Sequence, residues 1–429
     1  MKNLIRNQLN RIDWNFIDKI SGLAPKIHWY PGTFPSEIPS TIIQAFTKQN
    51  DIVFDPYGGI GTSAVEAIRI GRRAYVAELN LIALLIAYTE CGLILLKSLN
   101  ENYIEGIISH IIDELNISSD RNYTLPGFNK KNRSKNNYSK HLLELIRPKP
   151  DDIIEKYVNK IKPQWELLSK WIEEKSLINI NKIWDKINTS NIDSFSKILC
   201  ITMLSANLRR NSSQIKSWGH LSDNVYPKEF EYKDSNYLCS QWLNRIRKKL
   251  LKTNIDNDIN NNNNDIRVWI KEIDWRTSKT KDITFTNQIS LLITSPPYAD
   301  AIDYIRAQRL SFYLLGFSDE KIDKLAINEI GARRKRTKKN SKIKWAEELV
   351  KALDIQLQYL SQTANIALIL PHKDSGREIG SKMLQKFLTD RQWALILDKD
   401  RSIDQLNTIQ SWTSIKKETV KIYSNFIKD

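Results

Sequence analysis

Short apolar runs alternate with helical patterns near the beginning of the chain. The run Ile52–Phe54 precedes a glycine-rich turn, a helix-like stretch at Thr62–Ile70 and a second apolar run at Ala74–Ala77. Short apolar runs bounded by turn residues are typical of buried strands. The order strand, turn, helix, strand predicts the start of a doubly wound α/β sheet.

The same pattern returns after about residue 266. Helical stretches separate most of five further strand candidates, which are Val268–Ile270, Ile289–Ile293, Ile366–Leu370, Ala394–Leu397 and Thr419–Tyr423. We find no internal repeat. The two ends of the chain therefore read as parts of one α/β domain.

Residues 101–265 have a different composition, rich in Lys, Asn, Trp and Tyr, with few strand signals. Helical periodicity is present over Ile153–Ile172 and over Phe195–Arg209. The region ends in the five asparagines Asn260–Asn264, which are typical of a linker or surface loop. We predict an α/β domain in two parts, residues 1–100 and 266–429, interrupted by a helical insertion at 101–265.

Charge and composition narrow the class of partner. The chain has 429 residues, 65 Lys and Arg against 49 Asp and Glu, and a formal net charge of +16. Such a surplus favours a polyanion, with nucleic acid first and an anionic membrane surface second. The three cysteines and five histidines are scattered, so we predict neither a disulfide framework nor a structural metal.

One apolar stretch is long enough to be compared with a membrane span. Leu81–Leu99 contains Thr89, Glu90 and Lys97, which favours a helix buried in protein. The polar residues Met1–Asn10 do not resemble a secretory signal. We expect an intracellular protein without membrane contact.

The first candidate site is the turn Asp55–Thr62, which follows one strand and opens a helix. Its glycines allow a tight turn and a close approach to a ligand, and the helix amides can face an anion. An acid that ends the next strand can accept hydrogen bonds from ribose hydroxyls. No Lys-Ser/Thr pair follows, which excludes a nucleotide P-loop. The candidate ligand-binding residues are Asp55, Pro56, Gly58, Gly59, Gly61, Thr62 and Glu78. An ordinary glycine-rich turn would have the same spacing.

The second candidate is Thr294–Tyr298, directly after the strand Ile289–Ile293. Pro296 and Pro297 fix φ and keep the chain extended. The carboxyl end of a strand is where α/β sheets bind ligands. Taken alone, the segment is better explained as a structural Pro-Pro turn.

Together, the two segments resemble the amino-methyltransferase family, which modifies N4 of cytosine or N6 of adenine in DNA. In that family an Asp-Pro-Phe/Tyr-x-Gly-x-Gly-Thr segment binds the methyl donor, S-adenosylmethionine, and a Ser/Asp/Asn-Pro-Pro-Tyr/Phe segment is catalytic. Here they read Asp55–Thr62 and Ser295–Tyr298. The resemblance covers roughly residues 25–100 and 266–429.

Three further segments look like other elements of the family. His28–Pro35 resembles a segment that helps to hold the methionine part of the donor, which implies binding roles for Tyr30, Pro31, Thr33 and Phe34. Gly376–Gly380 and the strand at Lys417–Val420 resemble its closing elements.

The resemblance implies a class I S-adenosylmethionine-dependent methyltransferase fold, with a Rossmann-like sheet. It also implies that the insertion is the target-recognition domain, in the order of the family's alpha group. Asp274 looks like the residue that contacts the donor's adenine, although it follows the insertion, where the alpha order usually places it before. Either the insertion point differs or Asp274 is a surface acid.

The family's chemistry gives the catalytic segment a role. Ser295 Oγ and the Pro296 carbonyl would accept hydrogen bonds from the target amino group, Pro297 would keep the segment extended, and Tyr298 would stack on a base flipped out of the duplex. Ser-Pro-Pro-Tyr is the form most associated with N4-cytosine enzymes, and Asp-Pro-Pro-Tyr with adenine enzymes. The resemblance therefore implies N4-cytosine methylation of double-stranded DNA in a bacterial cytoplasm, at the nucleoid, with a cognate restriction endonuclease as a possible partner.

A basic run at Arg333–Lys344 contains no acid and follows the catalytic segment. It fits phosphate binding or a solvated loop equally in pattern. The DNA-binding candidates in it are Arg333, Arg334, Lys335, Arg336, Lys338 and Lys339. The cluster Arg245–Lys252 is a weaker candidate, since it fits the exposed face of a helix. In the insertion, Leu208–Asn211 and Lys216–His220 combine charged, amide and aromatic groups of the kind that read bases, although Trp218 fits a structural role equally well.

Three other functions share these motifs. An N6-adenine DNA methyltransferase differs only in the target base. A DNA-binding protein that kept the fold and lost catalysis is disfavoured by the intact segment Ser295–Tyr298. An RNA guanine N2-methyltransferase usually carries Asp at the position of Ser295 and an added N-terminal domain.

Overall fold

A computed structural model describes residues 2–16, 22, 26–117, 137–214, 226–256, 267–278, 288–299, 302–332, 340–372, 378–402 and 417–425. Within these ranges one eight-stranded sheet has the order β3-β4-β2-β1-β5-β6-β8-β7. The strands are β1 (Ile52–Asp55), β2 (Arg73–Glu78), β3 (Ile146–Arg147), β4 (Val268–Glu272), β5 (Ile289–Thr294), β6 (Leu360–Pro371), β7 (Trp393–Ser402) and β8 (Lys417–Asn425). Neighbouring strands from β3 to β6 are parallel, and β8 is antiparallel to β6 and β7. The seven predicted strands are confirmed, and β3 is an addition.

The first four helices precede and follow β1 and β2 in the chain. They are α1 (Lys2–Asn10), α2 (Glu37–Phe46), α3 (Thr62–Arg69) and α4 (Leu81–Leu99). Asn80 begins α4, because its side chain accepts from the amides of Ile82 at 2.9 Å and Ala83 at 3.4 Å. Helix α4 is long and apolar enough to cross a membrane, yet it is buried within the protein from Leu81 to Ser98. The predicted buried helix is confirmed.

The described part of the insertion is helical apart from β3. Its helices are α5 (Asn102–Leu115), α6 (Tyr138–Leu142), α7 (Pro150–Tyr157), α8 (Trp165–Ser169), α9 (Glu174–Thr189), α10 (Ser194–Asn211) and α11 (Ser235–Leu251). The predicted helix at Phe195–Arg209 is confirmed by α10. The prediction of helical structure throughout Ile153–Ile172 was wrong, because α7 and α8 are separate helices. Pro163, between them, has no amide donor and disfavours helical geometry in the residue before it.

The remaining helices follow β5 and β6. They are α12 (Tyr304–Ala307), α13 (Arg309–Leu314), α14 (Asp319–Ile327), α15 (Ser341–Leu357) and α16 (Glu378–Asp390). Helices cover both faces of the sheet: Val53 and Val76 belong to a core with α2, α3, α4 and the insertion, whereas Phe54 and Tyr75 pack with α15 and α16. This is the predicted doubly wound α/β arrangement with a mostly parallel sheet.

The insertion shares the first of these cores instead of forming a separate one. Gly92 of α4 allows the Phe195 ring of α10 to approach closely, since a Cβ there would lie 2.3 Å from Phe195 Cε2. The segment boundaries at residues 100 and 265 stay a prediction. Of the predicted closing elements, Lys417–Val420 begins β8, whereas Gly376 and Arg377 lie outside the described residues.

Candidate active site

A cleft lies at the carboxyl ends of β1, β2, β4 and β5, where parallel sheets bind ligands. It encloses about 890 Å³, its open mouth included, which is within the range of small-molecule sites. Several segments that are distant in sequence meet there. The predicted residues that line it are Tyr30, Thr33, Phe34, Pro56, Gly58, Gly59, Thr62, Glu78, Asp274, Ser295 and Pro297.

The other predicted site residues do not line the cleft. They are Pro31, Asp55, Gly61, Pro296 and Tyr298. Asp55 and Tyr298 are buried directly behind it, 2% and 8% exposed. In this geometry they support the cleft wall, and their contact with a ligand stays a prediction.

The three glycines of the turn have different functions. A Cβ on Gly58 would lie 2.4 Å from Val76 Cγ1, and one on Gly61 (φ +82°) would lie 2.8 Å from Ala87 Cβ. These two glycines therefore permit packing against β2 and α4. Gly59 (φ +52°) faces open space: among the described residues, only Tyr30 Cε1, at 3.8 Å, lies within 4 Å of an added Cβ. Close approach of a ligand to the backbone is expected at Gly59.

Asp55 joins the glycine turn to the catalytic segment. Its Oδ1 accepts hydrogen bonds from Thr294 Oγ1 at 2.6 Å and from the amide of Tyr57 at 3.2 Å. Burial raises the pKa of Asp55 to about 6, and hydrogen bonds, first that from Thr294, oppose the shift. The Asp55 carboxyl thus ties the end of β1 to the end of β5.

Glu78 ends β2 and holds the opposite wall. Its Oε2 accepts from the amide of Gly59 at 2.8 Å, and its Oε1 accepts from the amides of Leu79 at 2.9 Å and Asn80 at 2.8 Å. Burial raises the pKa of Glu78, and these hydrogen bonds oppose the shift. Because a carboxylate offers about four acceptor positions, the side chain keeps capacity for a ligand hydroxyl.

Asp274 follows β4, and β4 lies beside β2 in the sheet. The chain thus inserts residues between α4 and the strand that precedes Asp274, which explains why this residue follows the insertion. Its side chain is 17% exposed and is paired with Arg276 Nη2 at 2.7 Å. Asp274 lines the cleft, and its contact with the donor's adenine stays a prediction.

Several cleft residues were not found from the sequence, among them Glu329, Tyr304 and Asn80. Glu329 accepts from the amide of Ile305 at 2.8 Å, and Tyr304 stacks on Tyr30 with ring centroids 6.0 Å apart. Burial is the main cause that raises the pKa of Tyr30 and of Tyr304, and the negative charges of Glu78 and Glu329 raise both values further. No motif marks Glu329 or Tyr304. Asn80, by contrast, caps α4, and an asparagine directly before an apolar run is a signal for a helix start that the sequence offers.

Hydrogen bonds from buried side chains fix the position of the segment Ser295–Tyr298. Ser295 lines the cleft, and its Oγ donates to Tyr298 Oη at 3.0 Å. Trp345 Nε1 donates to the Pro297 carbonyl at 2.7 Å. Tyr298 Oη also lies 3.1 Å from Glu418 Oε1. Stacking of Tyr298 on a base stays a prediction.

The predicted DNA-binding residues Arg333, Arg334, Lys335, Arg336, Lys338 and Lys339 lie outside the described residues. Another group of cations is described near the cleft. The Arg209 guanidinium lies 4.6 Å from the ring centre of Trp29, which is 37% exposed and precedes Tyr30. Burial lowers the pKa of Arg245 in α11, and the positive charge of Arg210 in α10 lowers it further.

Comparison with known proteins agrees with the motifs. The search of curated proteins found no match to the chain. The family model described as DNA methylase, specific to N6 and N4 amino groups, matches residues 7–89. That range contains Tyr30–Phe34, the glycine turn and Glu78. Over residues 7–89 the chain matches the N6/N4 amino-group DNA methylase family, which implies the class I methyltransferase fold, S-adenosylmethionine as the methyl donor and DNA as the substrate.

Proposed function

We propose that this protein transfers a methyl group from S-adenosylmethionine to N4 of cytosine in DNA. The observation that carries the proposal is Ser295, a neutral hydroxyl that lines the same cleft as the donor-binding residues. The family's adenine enzymes usually have a carboxylate at this position.

The described residues fit the donor. When bound, S-adenosylmethionine supplies an electrophilic methyl group on a positively charged sulfur. The carboxylates of Glu78 and Glu329 and the stacked rings of Tyr30 and Tyr304 make the cleft favourable for a cation. Glu78 would take a ribose hydroxyl.

Different groups of cleft residues would hold the two ends of the donor. The wall of Ile273, Asp274 and Trp275 would hold the adenine. Thr33, Phe34 and the start of α3 would hold the methionine part.

The chain's own groups would prepare the target nitrogen. An exocyclic amino group is a poor nucleophile because its lone pair is delocalised into the ring. Hydrogen bonds from its N–H groups to Ser295 Oγ and the Pro296 carbonyl would draw the nitrogen towards tetrahedral geometry, and alignment in the cleft would lower the barrier further. The methylated nitrogen is cationic and acidic, so no strong base is needed to remove its proton. The base must leave the duplex to reach Ser295.

The insertion is proposed to recognise the DNA target. Its helix α10 carries Arg210 and also Arg209, which lies against the exposed ring of Trp29, and α11 adds Arg245. Crowded like charges raise the energy of the free protein, and a DNA phosphate would relieve this repulsion. We propose action at the nucleoid of a bacterial cytoplasm, with a cognate restriction endonuclease as a partner.

The proposal is tested by identifying the product. Unmethylated DNA is incubated with the protein and methyl-labelled donor, digested to nucleosides and analysed by mass spectrometry. Label in N4-methylcytosine is expected. Label only in N6-methyladenine would overturn the base assignment and leave the enzyme class intact. A protein that binds DNA and transfers no label would be a silent relative of the family. Ser295→Ala, with donor binding measured in parallel, is the control.

A further inference from the structure

A hydrogen-bonded chain runs from the cleft to a buried ion pair on β7 and β8. Ser295 Oγ donates to Tyr298 Oη at 3.0 Å, and Tyr298 Oη lies 3.1 Å from Glu418 Oε1. Glu418 Oε2 accepts from Arg401 Nη1 at 2.5 Å. Arg401 and Glu418 are directly opposite in the antiparallel pairing and are 5% and 9% exposed.

The direction of these hydrogen bonds is fixed by the groups at the far end. Arginine is always charged and holds Glu418 as a carboxylate, which can only accept. The second neighbour of Tyr298 Oη, the carbonyl oxygen of Ile369 at 3.2 Å, can also only accept. A phenol has a single proton, and Tyr298 donates it to the Glu418 carboxylate, because an ionised oxygen is a stronger acceptor than a hydroxyl or a carbonyl. Tyr298 Oη is then left to accept the proton of Ser295.

Ser295 therefore has its only proton directed away from the cleft. Its lone pairs are the part of the hydroxyl that remains for a substrate. We propose that Tyr298 and Glu418 are positioning residues that make Ser295 an obligate hydrogen-bond acceptor towards the target amino group. The inference rests on the proposed function. It gives the Tyr298 hydroxyl a role that ring stacking would not require.

Tyr298→Phe is the main test, because it keeps the ring and removes only the hydroxyl. Single-turnover methyl transfer at saturating donor and DNA should slow about tenfold, the effect of one hydrogen bond, while both dissociation constants stay at wild-type values. If Tyr298 acts through Ser295, the double variant Ser295→Ala/Tyr298→Phe should be no slower than Ser295→Ala alone.

The ion pair is tested with a matched control on the same two strands. Glu418→Gln, made together with Arg401→Met so that no unpaired charge is buried, should slow transfer in the same direction as Tyr298→Phe. Asp398→Asn breaks a neighbouring pair, with Lys421, that does not contact Tyr298. This control should transfer at the wild-type rate. A Tyr298→Phe protein with wild-type kinetics, or a double variant with multiplied losses, would overturn the inference.

A second readout is independent of activity and separates this inference from the proposed function. In protein labelled with ¹³Cζ-tyrosine, the Tyr298 signal is assigned by its loss in Tyr298→Phe. Ser295→Ala should shift that signal because the phenol loses its donor, and Asp398→Asn should leave it in place. No label on DNA from the wild type would refute the function alone. An unshifted Tyr298 signal in Ser295→Ala would refute the hydrogen-bonded chain.

Discussion

A methyl group added at Gly59 should impair donor binding more than it impairs folding. Its Cβ would point into the cleft, with Tyr30 Cε1 at 3.8 Å as its neighbour among the described residues. The cost to folding is that of a left-handed L residue, about 1–2 kcal/mol. Overpacking against a ligand costs about 1–3 kcal/mol, which corresponds to a loss of donor affinity of roughly five- to 150-fold.

Titration calorimetry with S-adenosylmethionine measures this loss directly, and thermal unfolding measures the cost to folding. Gly71→Ala is the matched control. Gly71 also has a positive φ, +79°, and is not part of the cleft lining. The three atoms nearest to its added Cβ would belong to the side chain of Gln49, which can move. Equal stability losses with wild-type donor affinity in both variants would refute the assignment of Gly59 to the donor site.

Three further predictions concern charge. Asp55 has a pKa of about 6 in the folded protein, against 3.8 in the unfolded chain. The free energy of unfolding should therefore fall by about 3 kcal/mol as the pH rises from below 4 to above 6. Asp55→Asn should remove this part of the pH dependence, which denaturant titrations at several pH values measure. Arg210→Gln with Arg245→Gln should weaken binding to DNA and lower the slope of log affinity against log salt by roughly 0.9 per lost phosphate contact, whereas an unchanged slope would exclude that contact. Neutralising four basic residues of the run 333–339 should weaken binding to all sequences alike; retained affinity would identify a solvated loop.

The strands and the donor turn were predictable because their signals are local. Apolar runs bounded by turn residues located β1, β2 and β4 to β8, and the glycines located the turn between β1 and α3. β3 has only two residues, too few for a periodic pattern. The break between α7 and α8 was marked by Pro163, whose effect on the helix outweighed the apolar spacing around it.

The cleft was predictable only where a motif marks it. Tyr304 and Glu329 reach it through the packing of α12 and the residues after α14, which no local pattern encodes. The sequence marked Tyr298 as an aromatic residue next to two prolines, and this favoured stacking. Its hydroxyl partners come from β6 and β8, distant in sequence, so its burial could not be predicted.

The central claim is that the cleft beside Ser295 is where methyl transfer takes place. It is tested most directly by the single-turnover rate of methyl transfer to DNA in Ser295→Ala at saturating donor. We expect a rate about 10²–10³-fold below that of the wild type, because the substitution removes a hydrogen-bonding group that is directed at the target amino group. The affinity for the donor should stay unchanged. A Ser295→Ala protein that transfers methyl groups to DNA at the wild-type rate would contradict it.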